Sequence, residues 1–98
     1  MSNVNLTEAI SLTHNYQNSP VSNNQPISFL VERNEILSLL NQPNCNDFRI
    51  YMGLTDNNKI TLVLVGVDVS GNDITNGVIL DDLAGCPPFC SINSPLMV

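Results

Sequence analysis

The alternation of large apolar and polar residues is clearest from Phe48 to Leu54. Phe48, Ile50, Met52 and Leu54 alternate with Arg49, Tyr51 and Gly53, the two-residue period of a strand with one core face. From Ile60 to Val67 the chain is apolar almost throughout, with Ile60, Leu62 and Leu64 on one side and Val63, Val65 and Val67 on the other. A strand of that composition needs cover on both faces. If Thr55 stands opposite Lys59, the connecting loop is a type I turn closed by a left-handed residue, for which Asn58 is the candidate. That register sets Leu54 beside Ile60 and Ile50 beside Leu64. A slip of one residue would mix Arg49 and Tyr51 into the apolar row.

Helical spacing is weaker and occurs twice. Leu6, Ala9, Ile10 and Thr13 predict a short helix over about 7–17, with Thr7 as the cap. Ile36, Leu37 and Leu40 predict a second over about 34–41, capped by Asn34 and ended ahead of Pro43, with Leu39 near the edge of the apolar stripe. Residues 18–26, NSPVSNNQP, read as a connector, and ISFLV at 27–31 and Val78 to Leu80 as short β-prone runs. The pattern predicts one α+β domain over 1–98. It is a small, mainly antiparallel sheet centred on the hairpin at 48–67, with both helices packed on it and a Pro- and Cys-containing tail at about 84–98.

Composition then narrows the function. A chain of 98 residues, 43% hydrophobic and 12% charged, supports a single modest core. Its net charge of -6 leaves Arg33, Arg49 and Lys59 as the only Lys or Arg. That is too little positive charge to hold a phosphate backbone or an anionic bilayer, so neither nucleic acid nor membrane is expected as a partner. The N-terminal stretch MSNVNLTEAISL has no basic start and no continuous apolar core, and no segment approaches the ~20 apolar residues of a membrane span. The expectation is a cytoplasmic protein with reduced cysteines.

Candidate chemistry is sparse. His14 has no Cys, His or acidic residue at ligand spacing and reads as an exposed helix residue. Asp68, Ser70, Asn72 and Asp73 superficially resemble a calcium loop, but Gly71 is misplaced for it and no glutamate closes it, so an Asx turn is expected. Cys86 and Cys90 flank Pro87, Pro88 and Phe89, whose fixed φ values restrict the two sulfurs. They can serve a disulfide, a metal site or a redox pair, or pack as small apolar groups. With one histidine, no nucleophile elbow and no phosphate-cradling glycine loop, no enzymatic activity and no cofactor are expected.

The remaining feature is the second side of the hairpin, where Tyr51, Val63, Val65 and Val67 form an apolar patch with Arg49 at its margin. Either the chain's own N-terminal helix or tail covers it, or a second subunit or protein partner does. The leading expectation is therefore a non-enzymatic, self-associating or partner-binding module using Arg49, Tyr51, Val63, Val65 and Val67. A metal-binding or thiol-redox protein acting through Cys86 and Cys90 is the alternative.

The strings QPNCNDFRIYMGL, KITLVLVGVDVSGNDI and CPPFC resemble a group of small uncharacterised proteins of Bacteroidota, over about two-thirds of the chain from Leu37 to Cys90. Asn44 and Asn58 stand where that group tends to have glycine. The resemblance implies a bacterial, cytoplasmic origin and carries no activity.

Overall fold

The computed structural model describes residues 2–98. It has two α-helices, α1 (Leu6–Gln17) and α2 (Arg33–Leu40), and five strands, β1 (Ser28–Leu30), β2 (Asp47–Leu54), β3 (Ile60–Val67), β4 (Ile79–Leu80) and β5 (Ala84–Cys86). One sheet runs β2-β3-β4, and β1 and β5 form a second, smaller one. All three pairings are antiparallel, so the fold is α+β, with the 48–67 hairpin at its centre.

The hairpin register is the one the apolar pattern requires. Ile50 faces Leu64 and Leu54 faces Ile60. Thr55 N donates to Lys59 O at 2.9 Å, and Asn58 takes the left-handed conformation at φ 61°. Asn44, in the loop before β2, is left-handed too, at φ 64°. Asparagine tolerates this region because its short amide can bond to nearby backbone.

The core is the contact of α2 with β3 and the segment before β5. Leu39, Leu64 and Leu83 are its buried centre, with Phe29, Ile36, Leu40, Leu62 and Leu80 packed around them. Leu39 is the deepest side chain of α2, while Leu37 points outward. The buried stripe is thus Ile36, Leu39 and Leu40, not the Ile36, Leu37 and Leu40 stripe expected. Asn34 is not the cap of α2, since Glu32 holds that position without a side-chain bond. At α1 the cap is Asn5 rather than Thr7, its Oδ1 accepting from Glu8 N at 2.8 Å.

The larger departure concerns α1, which does not pack on the central sheet. No residue of α1 is buried. It instead holds the C-terminal tail: Gln17 Nε2 donates to Leu96 O at 2.8 Å and its Oε1 accepts from Val98 N at 2.9 Å, while His14 Nε2 donates to Pro95 O at 3.0 Å. Tyr16 Oη donates to Pro26 O at 3.0 Å and ties the pair to the strand β1 region. The stripe of α1 is too thin to compete for the sheet, so polar side chains take over its anchoring.

Candidate functional site

The central sheet has two faces, and they meet different fates. On the face of the odd-numbered residues, Val65 and Val67 are buried and Val63 is partly buried. Their cover is neither α1 nor the tail. Val65 lies between Arg49 on β2 and Ile79 on β4, and Val67 lies between Asp47 on β2 and Asp73, with which it forms an isolated bridge. Arg49 Nη1 and Tyr51 Oη both bond to the Asp73 carboxylate, and Arg49 Nη2 donates to Gly71 O at 3.4 Å. Because Arg49 stands on one side of β3 and Asp73 on the other, these bonds form a polar strap across the strand at the level of the two valines.

The strap polarises its members. The hydrogen bond from Tyr51 chiefly holds the Asp73 carboxyl below its ordinary value; desolvation opposes it, and the bond and charge of Arg49 add smaller lowering effects. The Tyr51 phenol is raised, first by donating to Asp73 and then by partial burial and the carboxylate's charge. Arg49 is raised by its own hydrogen bond to Asp73 and then by that carboxylate's charge. Asp73 is positioned by the preceding turn, in which Asp68 Oδ1 accepts from Ser70 N and Asn72 N, both at 3.0 Å. Asp68 to Asn72 therefore form an Asx turn, closed at Gly71 with φ 86°.

A second device holds this loop. Gln42, just beyond α2, inserts its side chain between Gly66 and Gly77. Its Oε1 accepts from Val78 N at 3.1 Å, and its Nε2 is buried without a hydrogen-bond partner among the described residues. A Cβ at Gly66 would lie 2.6 Å from Gln42 Nε2, and one at Gly77 would fall on Gln42 Oε1. Gln42, Arg49, Tyr51, Asp68 and Asp73, drawn from strings far apart in sequence, thus converge on one end of the sheet. A shallow polar cleft lined by Gln42, Asn44, Asp68, Asp73 and Asn76 lies beside them.

On the opposite face, the even-numbered residues divide sharply. Leu64 on β3 is in the core, whereas Phe48, Ile50, Met52 and Leu54 on β2 are 40%, 51%, 71% and 68% exposed. The apolar row expected to lie in the core therefore faces solvent. Helix α2, eight residues long, extends about 12 Å, while an eight-residue strand such as β2 extends about 27 Å. The helix touches β2 as well as β3 and β4, but at this length it cannot cover the whole of β2. The signal for this was the shortness of the 34–41 helix and the lack of another strongly amphipathic segment.

The backbone of β2 is equally open. It is an edge strand, and beyond the β3 ladder the described residues bond to its backbone only at its first residue, where Cys45 Sγ donates to Asp47 O. The bond from Thr55 N to Lys59 O sets the ladder's phase. By antiparallel alternation, the peptide groups of Phe48, Ile50, Met52 and Leu54 then point outward. The same four residues present apolar side chains and unpaired backbone.

The cysteines are not all reduced. Cys86 and Cys90 form a disulfide with Cα atoms 4.7 Å apart, and the peptide bonds preceding Pro87 and Pro88 are cis. Joined in this way, the sulfurs have no thiolate to offer a metal. Cys45 is free, and its Sγ donates to Asp47 O at 3.2 Å. Among the described residues no group of three or more His, Cys, Asp or Glu side chains is placed to hold a metal ion. Among them, too, no helix is long and apolar enough to cross a membrane.

Compared with known proteins, the chain matches no family model, no curated protein and no solved structure.

Proposed function

We propose that the protein is a non-enzymatic docking module that associates with itself through an apolar face of its central sheet. The observation that carries this is the area left in water. The chain exposes 7261 Å², whereas a monomer of 10.7 kDa is expected to expose about 5,500 Å². Its radius of gyration, 15.2 Å, likewise exceeds the roughly 13 Å of a compact domain of this length. The excess of roughly 1,700 Å² is about twice what one partner contributes to a standard interface.

The face differs from the one favoured by the sequence. Val65 and Val67 are covered within one copy, so Arg49, Tyr51 and Val63 are what the odd face leaves for a partner. The even face leaves four large side chains uncovered. The cytoplasmic and bacterial setting implied by the resemblance belongs to this reading as an expectation, and the Cys86–Cys90 disulfide weighs towards an oxidising compartment instead.

Sedimentation equilibrium combined with metal analysis on one sample tests the proposal. A metal-free species of at least twice the 10.7 kDa chain mass is the expected result. A monomer that carries stoichiometric zinc through Cys86 and Cys90 after reduction would replace it with the metal-binding alternative.

A further inference from the structure

We propose that the occupant of the uncovered surface is a second copy of this chain, added strand to strand along β2. The result is one antiparallel sheet running β4-β3-β2-β2-β3-β4 across a two-fold axis. This rests on the docking reading above and specifies its interface.

An exposed edge strand is a template for another strand, and folded proteins blunt such edges with lysine, proline, bulges or very short strands. β2 has none of these, and of its two charged residues, Asp47 and Arg49, the arginine is engaged by Asp73 on the odd face. The strand is eight residues long, contains no Lys or Pro, and pairs with β3 without a break from Asp47 to Leu54. Its outward peptide groups and its exposed apolar side chains belong to the same residues. A partner strand that satisfies the first therefore also lies against the second.

Self-pairing is stereochemically consistent. In an antiparallel pair, residues directly opposite share a face. Pairing Phe48 with Leu54 and Ile50 with Met52 of the second copy keeps the apolar rows together and overlaps nearly the whole strand. Tyr51 then meets its own equivalent at the axis. This register brings no like charges opposite each other, since Arg49 faces Gly53 and Asp47 faces Thr55. A one-residue shift would place Arg49 against the apolar row.

The area argues for a second copy. Four large side chains exposed to this degree form a patch on the order of 400 Å², a size at which patches on monomers are often functional. Two such patches side by side shield each other, and the flanking α2 helices wall the combined row on both sides. The chain's excess exposure of roughly 1,700 Å² is more than the ~800 Å² per partner that a stable dimer removes.

Sedimentation equilibrium on the full chain and three variants tests this. Wild type is expected to be dimeric. Ile50→Asp and Met52→Glu are expected to raise the dimer dissociation constant at least tenfold while keeping the wild-type circular dichroism, because both positions are already exposed in one copy. Leu12→Asp, on the exposed side of α1, is expected to leave the dimer intact. A dimer insensitive to both β2 variants overturns the strand-pairing inference and leaves self-association standing. Wild type that stays monomeric at every concentration overturns self-association itself.

Discussion

Ile50 and Leu64 are direct partners across the hairpin and present their side chains to the same face of the sheet, yet Leu64 is 2% exposed and Ile50 51%. Helix α2 ends its cover between them. One half of a continuous apolar surface has thereby become core, and the other half has become the edge of the molecule. The consequences of that division can be measured.

The core half depends on Leu39. Leu39→Ala removes a fully buried side chain packed against Leu64 and Leu83, and a loss of about 2–5 kcal/mol in unfolding free energy is expected. Leu37→Ala, one turn face away and partly in water, is expected to cost under about 1 kcal/mol. Equal losses at the two positions in urea denaturation would contradict the placement of α2.

The glycines beside Gln42 are a second test. Gly77→Ala displaces the Gln42 side chain and leaves the Val78 amide without its acceptor. A loss of about 1–3 kcal/mol is expected from that unpaired donor. In a Gln42→Ala background the same substitution is expected to cost much less, since the obstruction is already gone. Additive effects of the two substitutions would argue against the contact.

The polar strap gives a pH signature of known sign. The Asp73 carboxyl is lowered in the folded state, so its contribution to stability is present above its ordinary value near 3.8 and is lost as pH falls through the lower folded value. Tyr51 is raised, so its contribution is present below 10.0 and is lost as pH rises through the higher folded value. Asp73→Asn is expected to flatten the acid limb of a thermal-midpoint profile and Tyr51→Phe the alkaline one. Profiles that overlay wild type would mean that the strap contributes nothing in solution.

Thiol counting checks the cysteines. Protein unfolded without reductant is expected to show one reactive thiol, from Cys45, and three after reduction. Three thiols before reduction would show Cys86 and Cys90 to be unpaired.

The sequence revealed the hairpin, its register and the left-handed Asn58 because each is set locally: strand alternation and a short turn leave little choice. The Asx turn at Asp68 was legible for the same reason. What could not be read was coverage. Phe48, Ile50, Met52 and Leu54 have the pattern of core residues, and only the reach and placement of α2 decide that they are not. Likewise Val65 and Val67 demanded a lid. That Arg49, Tyr51 and Asp73 supply it depends on a contact across β3 between residues more than twenty positions apart in sequence. The CPPFC spacing was compatible with a disulfide, a metal or free thiols, because spacing alone sets how near the two sulfurs come and not what joins them.

Amide hydrogen exchange on the wild-type protein, followed residue by residue at a high and a low concentration, tests the central claim most directly. The amides of Ile50 and Met52 point away from β3, so nothing in one copy protects them. Slow exchange at high concentration that becomes fast on dilution is the expected result. Fast exchange at both concentrations, with the Tyr51 and Gly53 amides still slow, would contradict it, since β2 would then be a bare edge in solution.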